Sequence, residues 1–441
     1  VQSGTITSSY LSRYRRLADG DGAPGGVLPV TGAQRRFLLA RRLDPAGRAA
    51  LVPLFFSFPA GAVDPERLRA AAGHLAALHP ALRARQLVER GVPLQVPGAP
   101  AGHVRRVLPR PGESARAAVL RALGALPAAV PPLQFLLAAG SGNGGEEVLA
   151  LVLDHGACDE QSLGLITAGL TDAYRDGRGP LDAPADAVAD GLAAYRDAVH
   201  LQLAAEGKAS HADALAYWAR RLAGIRGTTA RIADVPSPAG TGTALRRLAL
   251  GGDGGRATAF PALLGACVTA ARTLHGPDPV PVLGYPWGGR PPSAAPVLGC
   301  FLNTVAHPAD ERDAAGRAAA WWDDLDHADT PFDEVVHAAR RAGAPWAGRL
   351  DGLLTFEDLG RRPPLRLGGA TGQEIHLDGR PLQAPFAVSV SYGTDLLVRM
   401  AWDRSAVADD RAEAAFASLT EALDTRTGAL DTRTAQPAPA G

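Results

Sequence analysis

The run EEVLALVLDHGACDEQSLGLITAGLTDAYRDG, residues 146–177, constrains the fold more than any other stretch. Its first part is apolar, rich in branched side chains and too short for a stable helix, so it reads as a buried strand. The apolar residues then resume at helical spacing as far as Gly177. A strand that turns within a few residues into a helix is a building unit of α/β folds. It leaves the last strand side chain at the sheet edge, beside the unpaired N–H groups of the helix start. Here that side chain is His155, followed by Gly156 and Ala157, which keep the space beside it open.

The same alternation runs along the chain. VDPERLRAAAGHLAALHPALRARQ opens with Asp64 as an N-cap, Pro65 at the first helical position and Glu66 in the first turn. Leu68, Ala71, Leu75, Leu78 and Leu82 then form one apolar stripe. Further helices are expected near 211–224, 257–274, 314–327, 331–342 and 406–424, with strands near 243–251, 280–286 and 351–357. A hairpin is expected over 386–403, turning at Gly393–Thr394. The Pro- and Asp-rich stretch 178–190 suits a crossing between halves. The domain reading is a flexible lead-in at 1–28, an N-terminal lobe at 29–180, a C-terminal lobe at 181–424 and a flexible tail at 425–441.

Composition narrows the classes of function. At 441 residues the chain exceeds one ordinary core. Its 45 basic and 45 acidic residues cancel, so no global charge favours nucleic acid or an anionic membrane as a partner. Cys158, Cys267 and Cys300 fit neither a disulfide framework nor a paired metal motif, and a reducing cytoplasm is the natural compartment. No apolar run approaches the ~20 residues of a membrane helix.

The chemistry candidates centre on His155, whose ordinary pKa of ~6.5 lets it take a proton near neutrality. Asp159 stands where a helix should begin and reads as an N-cap. Asp154 and Glu160 could raise the imidazole pKa, orient the ring or face water. No second cluster completes a metal site around His155, Cys158 and Asp159, and no phosphate-binding glycine motif follows a strand. SGNGGEE, GAPWAG and RRPPLRL read as loops. In GYPWGGRPPSAAPVLGCFLNT, residues 284–304, Arg290 needs an acidic partner if it is buried.

Several segments in one order resemble a condensation domain of nonribosomal peptide synthesis, within the chloramphenicol-acetyltransferase-like acyltransferase superfamily. LPVTGAQRRFLLARRLDP is similar to the opening segment of that family, with Thr31, Gln34 and Leu43-Asp44-Pro45 in register. ALAYWARRLAG resembles YWxxxLxG, VLGYPWGGRP with VLGCFLNTV resembles GxPxxGR…xGxFxNT, and DHADTPFDEVV resembles HxxxPFExxV. The family signature HHxxxDG is answered by Asp154, His155, Asp159 and Glu160, with Ser162 two positions on.

The resemblance implies two α/β lobes, each like chloramphenicol acetyltransferase, joined as a V-shaped pseudo-dimer with His155 near the middle of a tunnel between them. It implies an acyltransferase that moves a carrier-protein thioester onto an amine or hydroxyl. By the same resemblance His155 would be the active residue, and Asp159 would form a structural ion pair with Arg290. Gly156 is expected near the cleft; Trp287 and Asn303 are candidates for it too, with core packing the role expected of both. No cofactor is bound, because phosphopantetheine arrives on a peptidyl or acyl carrier protein. Adjacent synthetase domains are further expected partners. Two departures stand out: the first His is Asp154 and the Gly is Glu160. A Glu there obstructs the acceptor route or grips a cationic acceptor. The altered motif also keeps open a non-catalytic domain that recruits a tailoring enzyme. Asp154, Asp159 and Ser162 fit the DxxxxDxxS of heterocyclisation domains, whose TPQVxLD segment TGQEIHLD echoes loosely.

Overall fold

The computed structural model describes residues 4–19, 26–43, 50–127, 130–140, 145–226, 240–249, 256–276, 278–310, 312–358, 362–380, 382–392 and 395–434. Two α/β lobes form a V. The sheet of the N-terminal lobe runs β14 (Gln373–Ile375), β2 (Leu51–Pro59), β7 (Glu146–Asp154), β6 (Leu133–Ala139) and β5 (Val104–Arg106). That of the C-terminal lobe runs β10 (Leu302–Pro308), β9 (Val282–Gly288), β11 (Gly352–Asp358), β15 (Phe386–Tyr392), β16 (Leu396–Asp403) and β8 (Thr241–Leu248). A small sheet joins β1 (Leu28–Pro29), β4 (Val92–Pro97) and β3 (Ala84–Glu89), and β12 (Arg366–Leu367) pairs with β13 (Ala370–Thr371).

The continuous apolar run of β7 is explained by its two covered faces. Leu149, Leu151 and Leu153 pack into a core with α3 (Pro65–Leu78) and α5 (Glu160–Asp176). Val148, Ala150 and Val152 pack into another with α4 (Ala115–Gly124). A central strand buried on both sides cannot alternate polar and apolar residues. Asp64 caps α3 by accepting from the N–H groups of Glu66 and Arg67, as its position implies. The C-terminal core gathers α7 (Ala212–Leu222), α8 (Arg256–His275), α9 (Ala314–Leu325), α10 (Phe332–Arg341) and α11 (Asp409–Thr434) around its sheet.

The ends and the boundary differ from the sequence reading. Within the expected lead-in, Ile6–Ala18 form helix α1, and Tyr10 and Tyr14 are buried against the small sheet. The Tyr10 hydroxyl accepts from Val30 N–H at 2.7 Å and donates to Pro93 O at 3.0 Å. At the other end α11 continues through Thr434, past the expected start of the tail. Parts of both expected flexible ends, 20–25 and 435–441, lie outside the described residues, as do Asp44, Pro45, the loop 141–144 and the turn at Gly393–Thr394.

The lobe boundary falls later than residue 180. Tyr195, Ala198, Val199 and Leu203 of α6 (Ala185–Ala209) share a core with Tyr10, Leu28 and Val30, so α6 packs with the N-terminal elements. The C-terminal half also returns a strand: β14 pairs antiparallel with β2, Glu374 opposite Phe56. Leu365 and Leu367 are buried in the same N-terminal core as Leu151, so RRPPLRL is partly strand. Across the join, Arg35 of α2 (Gly32–Leu43) lies 2.8 Å from Asp333 of α10 and 3.6 Å from Glu206 of α6.

Replacing Tyr10 by Ala is expected to cost about 3–5 kcal/mol, the range for a buried aromatic ring. Denaturant unfolding reads this directly. A midpoint equal to that of the unaltered protein would mean that α1 contributes nothing to the fold.

Candidate functional site

β7 ends at Asp154, and the next residues are held by backbone contacts on every side. His155 N–H donates to Ala50 O at 2.8 Å, continuing the line of the sheet. Asp154 Oδ1 accepts from Gly156 N–H at 2.8 Å, and its other oxygen lies 3.6 Å from Arg41. Asp154 therefore shapes the turn, with burial raising its pKa. The Gly156 carbonyl accepts from Gln34 Nε2 at 2.9 Å and Gln86 Nε2 at 3.2 Å. A Cβ at Gly156 would stand 2.3 Å from Gln86 Nε2, so any larger residue displaces that amide. Gln34 belongs to a buried cluster with Gln95 and Tyr195, which is how the opening segment of the chain positions the histidine loop.

Asp159 caps α5 by accepting from Ser162 N–H at 3.1 Å, and Ser162 completes the capping box. The carboxylate does more than cap. Arg290 Nη1 lies 2.7 Å from both of its oxygens, and Phe301 N–H donates to Oδ2 at 3.0 Å. Arg290 Nη2 donates to Ser162 Oγ at 2.8 Å, and Gly299 N–H to the same oxygen at 3.2 Å. Asp159 and Arg290 have side-chain exposures of 0% and 8%, so this is a buried pair.

Asp159 is thus committed to Arg290, and among the described residues no carboxylate is hydrogen-bonded to the His155 ring. Its imidazole stacks on Phe37, centroids 4.1 Å apart, and Nδ1 is buried without a hydrogen-bond partner. Burial and then the nearby charge of Arg36 push its pKa down. The ring is neutral at pH 7 and available as a proton acceptor.

His155 and Glu160 both line a cavity of about 1780 Å³ between the lobes. On its wall, Glu160 Oε1 lies 3.0 Å from Arg362, which also pairs with Glu374 at 2.7 Å and lies 3.9 Å from Glu357 of β11. Three carboxylates crowd one guanidinium. Burial raises the pKa of Glu160 to about 7, and that of Glu357 upward as well, with Arg362 opposing. No local pattern marks Arg362 in the sequence, because its partner Glu160 is distant in the chain.

Gly156, Trp287 and Asn303 do not line the cavity. Gly156 faces Gln86, Trp287 packs on the C-terminal core, and Asn303 donates to Ala328 O and Thr330 O while accepting from Phe332 N–H. Among the described residues no cluster of His, Cys, Asp and Glu is placed to hold a metal ion, and no helix is long and apolar enough to cross a membrane.

No protein-family profile matches the chain. A probable non-canonical nonribosomal peptide synthetase of Salinispora arenicola, CymA, is 32% identical over 352 residues, covering 70% of this chain. The match spans 4% of the length of that relative. The fold is that of two solved structures. The complex of the X-domain and OxyB from teicoplanin biosynthesis has a TM-score of 0.66 at 20% identity, over 93% of this chain and 95% of that one. The first condensation domain of the calcium-dependent antibiotic synthetase, solved with a substrate analogue, has a TM-score of 0.66 at 18% identity, over 90% and 95%.

Removing the guanidinium in Arg290→Ala leaves Asp159 buried and unpaired, at an expected cost of about 3–5 kcal/mol in unfolding free energy. A pH dependence follows from Glu160. Its carboxyl, ordinarily at 4.5, holds a proton in the native state up to about 7. Between those values the native state binds more protons than the unfolded chain, so this group makes stability fall as pH rises through that window. Melting temperatures measured across it should fall less steeply for Glu160→Gln. An unaltered slope would count against that titration.

Proposed function

We propose, from the premise that this chain has the condensation-domain fold, that it catalyses condensation-type acyl transfer. The donor is a thioester on the phosphopantetheine arm of a peptidyl or acyl carrier protein, and the acceptor is an amine or hydroxyl. The observation that carries this reading is a neutral, partly buried imidazole on the wall of a large cavity between two lobes. In the reaction His155 accepts the proton as the acceptor nitrogen or oxygen attacks the thioester carbon. Collapse of the tetrahedral intermediate forms the amide or ester and expels the thiolate, which takes the proton back from the imidazolium. Burial serves this cycle because the imidazolium is disfavoured and gives up its proton readily.

Asp159 and Arg290 hold the histidine loop and stay out of the chemistry. Arg340, Arg341 and Arg349 line the cavity and form no ion pair among the described residues, which suits the phosphate of an incoming arm. The likeness to CymA supports a place in nonribosomal peptide assembly, beside other synthetase domains. All three cysteines are buried free thiols, which suits a cytoplasmic setting.

The Glu160–Arg362 pair favours a second reading. Glu160 stands at the position where the family carries Gly, and through Arg362 it is linked to Glu374 of β14 and Glu357 of β11 on the cavity wall. With the acceptor route closed, the domain would hold a carrier-bound peptide for a tailoring enzyme. For cyclisation, Asp154 and Asp159 offer little, since both carboxylates are bound to the backbone and to arginines.

Mass spectrometry of products from an acyl-loaded carrier and an added amine separates these readings. Acyl transfer requires amide formation that falls by at least about a hundredfold in His155→Ala, the scale of general base catalysis. Turnover that survives this change would remove His155 from the mechanism. Glu160→Gly is expected to raise the rate. Carrier binding without product, together with capture of a second enzyme, would favour recruitment. A thiazoline or oxazoline would favour cyclisation.

A further inference from the structure

Arg36 carries a charge that the protein leaves unbalanced. Its neighbour Arg35 pairs with Asp333 and Glu206, Arg290 with Asp159, and Arg362 with Glu160 and Glu374. Arg36 forms no ion pair among the described residues. Its guanidinium lies between the rings of Phe37 and Phe332, 5.4 and 4.9 Å from their centroids. Nη1 donates to Thr304 Oγ1, and no other hydrogen bond engages the group among the described residues.

Burial draws its pKa down to about 10, which still leaves it charged at neutral pH. A guanidinium has five N–H donors, and leaving most of them unmet away from bulk water is costly. The remaining nitrogens are not sealed in. Arg35 Nη1 and Arg362 Nε are buried without a hydrogen bond, but no nitrogen of Arg36 is. Arg36 also lines the same cavity as His155, and both side chains rest on the ring of Phe37.

We propose that Arg36 is a receptor for a carboxylate borne by the substrate, gripped through the Nε–Nη2 edge that Thr304 leaves open. This rests on the reading that the cleft receives an acyl donor and an acceptor. The edge presents two parallel N–H groups, the geometry that a carboxylate accepts side-on. The flanking rings hold the guanidinium plane in place. The acids nearby cannot substitute without breaking other pairs: Glu160 is held by Arg362, Asp333 by Arg35, and Asp154 by Gly156 N–H. A permanent, uncompensated charge calls for a permanent counter-charge, and the substrate is the remaining source. The site therefore selects a donor acyl group or an acceptor with a free carboxylate close to the reacting carbon.

Binding without turnover tests this. Calorimetry would compare succinyl-pantetheine with its carboxamide counterpart on the donor side, and leucine with leucinamide on the acceptor side. In the unaltered protein the carboxylate member of at least one pair should bind roughly tenfold or more tightly, the scale of one charge-assisted hydrogen bond. Arg36→Gln should bring that ratio close to one, with circular dichroism confirming the fold. The pair that responds identifies which substrate carries the carboxylate. Equal affinities within both pairs for the unaltered protein, or a preference that persists in Arg36→Gln, would overturn the proposal. Failure of acyl transfer is read separately: absent turnover with an intact carboxylate preference would strike the catalytic reading and spare Arg36.

Discussion

The buried contact between Asp159 and Arg290 joins the two lobes at the point where the histidine loop becomes a helix. Asp159 belongs to the start of α5 and Arg290 to the segment after β9, 131 residues further on. A fully desolvated carboxylate is tolerable only when its oxygens are satisfied, and here it has a guanidinium, Ser162 and the N–H of Phe301. The same guanidinium reaches Ser162 and the carbonyls of Val297 and Gly299, so it also fixes the returning chain. The direction of β7, the start of α5 and the edge of the C-terminal lobe are thereby set together, and His155 is placed by their agreement.

A second consequence is electrostatic. Burial disfavours the charged imidazole, and Arg36 adds to this, outweighing the opposing pull of backbone groups and of Asp159, which is bonded to Arg290. The cleft thus separates its charges into distinct settings. Arg290 is balanced and structural. Arg362 is shared among three carboxylates, and burial, with the repulsion of Glu357 and Glu374 added, raises the pKa of Glu160 to about 7 against the pull of Arg362. Arg36 has no carboxylate partner among the described residues. The first of these settings holds the histidine loop, and the other two lie on the cavity wall.

The β14 crossover has a comparable role. By pairing with β2, it carries Glu374 from the C-terminal half into the N-terminal sheet, where Arg362 can bridge it to Glu160. The lobes are therefore interleaved, and the expected boundary at residue 180 was too simple. α6 was assigned to the wrong side because its polar surface carries no mark of which core its buried stripe will join. α1 was missed for a similar reason: its mean hydropathy is low, and its stability comes from two tyrosines that meet a sheet made elsewhere in the chain.

Taken alone, the sequence determined whatever depends on local spacing. The apolar run of β7, the stripe of α3, the Asp64 and Asp159 caps, Gly177 as the left-handed stop of α5, and the candidacy of His155 all arise within a few turns of chain. The Asp159–Arg290 pairing came from motif resemblance and has its counterpart in the contact. Only the tertiary structure decided that Glu160 meets Arg362, which groups hold Asn303 and Trp287 away from the cleft, and that Arg36 meets no acid among the described residues. Charge, unlike hydrophobic periodicity, has no period in sequence. Its meaning rests on what lies within a few ångströms after folding and on how much water remains there.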